Sequence, residues 1–255
     1  MSAVPVDESL HRGRLAAIAR EGERFGALAG EVAAGRTAAA GWGAPVPWVP
    51  AWDVRALVAH LGTVHRWATA IVAAGTTDPP TARPQPPAEG LLDWYAEGLA
   101  GLLAVLEATD PGAPCWHMSP AAERVAASWA RRQAHEVAVH RTDLEVAAGL
   151  PAGDVAPDLA EDGVDEVLTV VVPRWAHLPG PAAARATVAV TCSDTGRGWS
   201  VTLDRGAVGV VPGGTGAADA AVTGTANALL RRLWGRPAEV TVRGDRAAEA
   251  LLRGR

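Results

Sequence analysis

Lysine is absent from this chain, and all 23 of its basic residues are arginine. Phenylalanine and tyrosine occur once each. Alanine, glycine, valine, proline and tryptophan are used heavily instead, which reads as the coding bias of a GC-rich genome and not as a signal of fold. Only two cysteines occur, Cys115 and Cys192, far apart and outside any C-x-x-C pattern. Two cysteines in 255 residues do not make a disulfide framework. There is no basic excess, since the formal net charge is −5. That argues against a nucleic-acid protein, which needs a basic stripe to displace counterions from phosphates. The pairs Arg131–Arg132 and Arg231–Arg232 lie in helical patterns flanked by apolar residues and read as solvated helix faces. No apolar run approaches the roughly 18 residues that span a membrane. Residues Met1 to Leu15 carry Asp7, Glu8 and several basic residues where a signal peptide would have an apolar core. The expectation is a soluble, cytoplasmic protein that engages neither nucleic acid nor membrane.

What is present is long enough, at 255 residues, for one large domain or two ordinary ones, and 49% hydrophobic with 20% charged residues is ordinary for a folded globular protein. Residues 1–150 read as helices. Helical spacing runs from about Ser9 to Val32, and again from Asp53 to Ala73, where Val54, Leu57, Val58, Leu61, Val64 and Ala68 form an apolar stripe. A Gly-, Pro- and Trp-rich loop, Gly41 to Pro50, separates the two. The Pro-rich stretch Asp78 to Pro87 cannot be helical and reads as a surface linker. Helical patterns resume from Glu89 to Glu107 and from about Ala121 to Ala148, stopped by Gly149 and Pro151. Four long amphipathic helices predict a four-helix bundle. Residues 151–255 change character. A helix over Asp158–Val171 precedes short β-like runs at Ala186–Cys192, Trp199–Leu203, Val208–Val211, Ala220–Thr223 and Glu239–Arg243, interleaved with helical patterns at Thr225–Trp234 and Arg246–Leu252. This predicts a small α+β domain after an all-helical one.

The segment that carries chemistry is Arg131-Arg132-Gln133-Ala134-His135-Glu136-Val137-Ala138-Val139-His140-Arg141-Thr142-Asp143. Helical residues four apart lie about 40° apart, so Glu136 and His140 share a face. Val125, Trp129, Glu136, His140, Asp143 and Ala147 fall within an arc of roughly 60°. The stripe begins and ends apolar, so it should face the bundle interior. An interior Glu or His taken singly is ordinarily a hydrogen-bonded core residue. Two carboxylates and an imidazole together on one buried face would be costly without partners, and a cation resolves the conflict. The pattern differs from H-E-x-x-H, because His135 and His140 are five apart, about 140° round the helix. His135 therefore reads as a surface or inter-helix residue. A third ligand must come from elsewhere. The candidates are His60, at the edge of the second helix's stripe beside Val64, Trp67 and Ile71; His65, nearer its middle; and His117. Periodicity does not choose among them. The Trp-rich loop with Trp42, Trp48 and Trp52 could line a pocket or simply pack.

These residues resemble the mycothiol-dependent maleylpyruvate isomerase family, within the wider DinB/YfiT-like group of four-helix metalloproteins. The match lies in Trp52-Asp53-Val54-Arg55-Ala56-Leu57-Val58-Ala59-His60-Leu61, in the H-E-x-x-x-H-R-x-D pattern ending at Asp143, and in Leu233-Trp234-Gly235-Arg236 and Val242-Arg243-Gly244-Asp245. The resemblance covers nearly the whole chain. It implies a DinB-like bundle over residues 1–150 and a sterol-carrier-like α+β domain over 151–255. It implies a metal, usually zinc, on His60, Glu136 and His140. Asp143 matches an acid beside the site, suited to supporting a ligand or handling a proton, and Arg236 an arginine that could hold a substrate carboxylate. Mycothiol is the implied co-substrate, with a small electrophile as the other partner. Where many members have Trp in H-R-W-D, this chain has Thr142, which touches pocket shape and not the ligands. Two imidazoles and a carboxylate leave an open position on a net positive ion, which suits a catalytic site. A thiol or water bound there ionises near neutral pH. Cys115 reads as structural, so the thiol comes from outside. The implied function is thus a thiol-dependent isomerase or S-transferase. The same ligands would also suit a hydrolase using water, or a non-catalytic metal- or ligand-binding regulator.

Overall fold

The structure, a computed structural model, describes residues 7–39, 41–80, 82–176, 178, 183–214 and 216–253. They form two compact units. One comprises the residues through His117 together with Glu123–Asp154, and the other Met118–Ala122 with Val155–Arg255. Among the described residues, no helix is long and apolar enough to cross a membrane.

The first unit holds α1 (Glu8–Ala33), α2 (Val54–Ala74), α3 (Leu91–Ala108) and α4 (Ala126–Ala147). Local chemistry sets their ends. Asp7 caps α1 by accepting from the Ser9 and Leu10 amides, and Asp53 caps α2 by accepting from Ala56. Gly75, at φ 59°, closes α2 in the left-handed conformation that glycine adopts without penalty. The expected α4 begins five residues late. Val125 is extended and bridges to Pro114, and the Arg124 carbonyl accepts from the Cys115 N–H, which takes Ala121–Val125 out of the helix.

Contacts fix the directions. Gly22 meets Leu99 and Gly26 meets Tyr95, so α1 and α3 are antiparallel. His60 reaches Glu136 while Trp67 meets Trp129, so α2 and α4 are antiparallel. Arg141 binds Glu21 and Glu145 binds Arg24, so α1 and α4 run parallel. It follows that α2 and α3 are also parallel, and the chain between them must return along the length of α2, about 30 Å. The Pro-rich stretch makes this return. Sixteen residues in an extended, proline-compatible conformation reach roughly 50 Å. Arg83 lies over the Trp67 ring at 4.1 Å, and Arg55 from the first turn of α2 donates to the Pro87 and Ala88 carbonyls. The linker of the sequence reading is a crossover.

The second unit places five strands in the order β3-β2-β1-β4-β5: β1 (Arg185–Cys192), β2 (Gly198–Asp204), β3 (Ala207–Pro212), β4 (Ala220–Gly224) and β5 (Thr241–Gly244). All neighbours are antiparallel except β1 and β4. The two-residue period buries Val188, Val190, Trp199, Val201, Leu203 and Val222 on one face. The helices are α5 (Pro157–Glu166), α6 (Val172–Trp175), α7 (Ala226–Leu233) and α8 (Arg246–Ala250). The single helix expected over Asp158–Val171 is α5 followed by a π-helical turn, Val167–Val171, running into α6. Pro173 accounts for the change, since it has no N–H to give Thr169 and its ring crowds that carbonyl. The last strand lies two residues later at its start than the β-like run suggested. Gly244, at φ 80°, ends it where a Cβ would collide with the Asp219 carbonyl, and Asp245 then caps α8.

Candidate metal centre

The centre is built from one turn of α2 and two of α4. Most residues of helix α4 are buried, so its polar side chains must be paired within the protein. His60 Nε2 lies 2.8 Å from Glu136 Oε1, and His140 Nε2 lies 3.5 Å from the same oxygen. One ligand atom from each of the three residues falls within 4.8 Å of the others. Two donors that each sit about 2.0 Å from a tetrahedral ion are roughly 3.3 Å apart. The two separations bracket that value, and the donor set of two imidazoles and a carboxylate suits a divalent cation. His60 is 28% exposed at its side chain, against 16% for Glu136 and 10% for His140, so the triad is open on the His60 side.

His140 and Glu136 are each held from behind. His140 Nδ1 lies 2.8 Å from Asp143 Oδ2, and Asp143 is fully buried. A carboxylate there keeps the proton on Nδ1, so Nε2 is the nitrogen that gives up its proton to a metal and turns a lone pair to the centre. Burial by itself would lower the His140 pKa, but the hydrogen bonds from Asp143 and Glu136 outweigh it and hold the imidazole up to about 9. Burial likewise opposes ionisation of Glu136. His140, His60 and Arg132 overcome it and keep the carboxyl well below its ordinary range. Arg132 Nη2 donates to Glu136 Oε2 at 3.1 Å. Its side chain is 6% exposed, which overturns the reading of a solvated face for Arg132 of the Arg131–Arg132 pair. The i, i+4 spacing of Arg132 and Glu136 was the available signal, and an arginine one turn before a buried glutamate belongs on its face.

Trp52 forms a wall. Its ring centroid lies 4.6 Å from that of His60 and 5.6 Å from that of His140. The loop that carries it is tied into a knot of backbone hydrogen bonds: Val46 N–H to the Trp52 carbonyl, Trp52 N–H to Val49, and Val54 N–H to Ala44.

The other candidates go elsewhere. His65 is fully buried against Tyr95, with ring centroids 5.4 Å apart, and burial pushes its pKa down to about 3. His117 packs on Trp129 at 5.2 Å. His135 is fully buried, so its surface alternative is wrong. Arg236 belongs to the second unit, where it follows the turn at Gly235 and donates to the Trp234 carbonyl at 2.6 Å. Thr142 is buried and donates to the Val139 carbonyl at 2.7 Å. Cys115 and Cys192 are free, buried thiols, and burial raises both, Cys192 to about 11.

Two family models match the chain. The mycothiol maleylpyruvate isomerase N-terminal domain covers residues 19–145, and the corresponding C-terminal domain covers residues 158–251. Two solved structures are similar across 95% of this chain and 95% of theirs, each at 14% identity: a mycothiol-dependent maleylpyruvate isomerase, TM-score 0.62, and a histidine-to-alanine mutant of such an enzyme, TM-score 0.63. No curated protein matches the sequence.

Proposed function

The chain belongs to the mycothiol-dependent maleylpyruvate isomerase family, and from that premise we propose that it is a metal- and mycothiol-dependent enzyme acting on a small electrophile that bears a carboxylate. The observation that carries the reading is the meeting of an imidazole from α2 with an imidazole–carboxylate pair from α4. We assign a divalent ion, zinc first, to His60, Glu136 and His140. When bound, the ion supplies Lewis acidity that favours the ionised form of a thiol or water at its open position. Asp143 is a positioning residue that keeps the His140 Nδ1 proton in place. Trp52 shields one side of the centre from water. Arg236 takes the substrate carboxylate in this reading, as a fixed cation with a planar fork of donors.

The chain's own thiols are buried with raised pKa values, which favours an external thiol. Addition of that thiol to an activated double bond forms a C–S bond and leaves a C–C single bond free to rotate. Elimination then breaks the C–S bond and returns both the thiol and the isomerised alkene. Without elimination the thiol is consumed, and the outcome is transfer. The test is metal analysis of the purified chain beside a His140→Ala variant, followed by thiol counting with mycothiol. Equimolar metal in the first and its loss in the second are expected. A zinc-supplemented chain that holds no ion would overturn the metal assignment, and turnover without any added thiol would point to water as the nucleophile.

A further inference from the structure

The metal reading uses one oxygen of Glu136, and the second is accounted for by a residue that takes no part in ligation. Oε1 faces His60 and His140, at 2.8 and 3.5 Å. Oε2 accepts from Arg132 Nη2 at 3.1 Å. Arg132 sits one helical turn before Glu136, with its side chain 6% exposed. That donor, held in an enclosed guanidinium, keeps Oε2 occupied on the side away from the two imidazoles. The carboxylate is therefore turned edge-on, with one oxygen given to the centre and the other given to the arginine.

We propose that Arg132 is a positioning residue that keeps Glu136 a one-oxygen ligand. This inference rests on the metal reading above. A glutamate free to chelate with both oxygens would bring the protein donors from three to four and fill a position that a thiol and a substrate oxygen need. Arg132 also sets a fixed positive charge beside the centre, which works against affinity for a cation. Openness of the coordination sphere and restraint on affinity thus come from the same side chain. A lysine at this position can both carry the charge and donate to Oε2, whereas methionine can do neither.

The experiment uses the full chain loaded with cobalt(II), whose visible absorption loses intensity and moves to shorter wavelength as the coordination number rises. Arg132→Met should show both changes and bind zinc more tightly in a chelator competition. Arg132→Lys should keep the spectrum of the unsubstituted chain. A purely structural arginine would lower the stability of Arg132→Met and leave the spectrum of its folded fraction unchanged, and that result would overturn the inference. Should Arg132→Met fail to fold, the unsubstituted zinc protein still decides. Its X-ray absorption fine structure must lack the short zinc–carbon distance of a chelating carboxylate, and the presence of that distance refutes the role given to Arg132. If the unsubstituted chain takes up neither cobalt nor zinc, the metal reading fails and the inference falls with it. If it takes up metal and the Arg132→Met spectrum does not move, only the inference fails.

Discussion

Replacing Asp143 by asparagine removes one charge and almost no volume from a fully buried site 2.8 Å from His140 Nδ1. Asparagine can still accept the Nδ1 proton, so what is lost is charge assistance. A hydrogen bond to an ionised partner contributes about 1.5–3 kcal/mol, against about 0.5–1.5 kcal/mol for a neutral one. The difference of about 1–1.5 kcal/mol corresponds to a fall of roughly tenfold in metal affinity. Asp143→Ala removes the acceptor altogether and should cost roughly 10–100-fold, the range found for partners that orient metal-ligating histidines. The assay is zinc affinity by chelator competition at fixed pH, with folding checked by circular dichroism. A double-mutant cycle separates this route from general damage. In a His140→Ala background the Asp143→Asn change should have no further effect on zinc binding, because its influence passes through the imidazole. An Asp143→Asn protein that is folded and binds zinc within twofold of the unsubstituted chain would refute the reasoning.

Two predictions concern stability. Arg141 is 1% exposed and binds Glu21 Oε2 and Glu145 Oε2, each at 2.7 Å, with further bonds to the Gly153 and Asp154 carbonyls; Arg141→Met leaves Glu21 to the half-exposed Arg20 and Arg24, and Glu145 to Arg24 and the Gly153 N–H, and should destabilise the first unit by about 3 kcal/mol in urea unfolding, while a loss under about 1 kcal/mol would show that the network is not what joins α1 to α4. In the second unit, burial opposes ionisation of Glu249, but Arg232 and Arg253 outweigh it and lower its pKa. A depressed folded-state pKa adds stability above the ordinary glutamate range that disappears as pH falls through the folded value. Glu249→Gln should therefore be less stable than the unsubstituted chain at neutral pH, and the two should converge in acid. A difference that persists unchanged to about pH 3 contradicts the assignment.

The four helices were legible because their apolar residues recur at helical spacing, and the strands because Val188, Val190, Val201 and Val222 alternate with outward neighbours. Glu136 and His140 followed from the same arithmetic. The choice among His60, His65 and His117 did not, because wheel angles place a residue on a face without saying which helix lies opposite. The return crossover sets α2 beside α3 in parallel and against α4, so the edge of the α2 stripe, where His60 sits, reaches Glu136. The middle of that stripe, with His65, meets Tyr95 of α3 instead. Arg132 was misread for a related reason. Arginine pairs ordinarily face solvent, and only the burial of most of α4 turns Arg132 inward. The late start of α4 and the π-helical turn before Pro173 depend on a bridge and on a ring clash, which periodicity does not register.

Trp52 is joined by its own main chain to the loop that precedes α2 and stands one residue before Asp53, the cap of the helix that bears His60. The main chain of Trp52 and the start of the helix bearing His60 are therefore one piece. A guest that presses on the indole can turn it about its side-chain bonds but leaves its anchor and the imidazole's helix in place. The acceptable size of guest at this centre is accordingly adjusted by exchanging the side chain at position 52, a change that reshapes the room while leaving the doorpost where it stands.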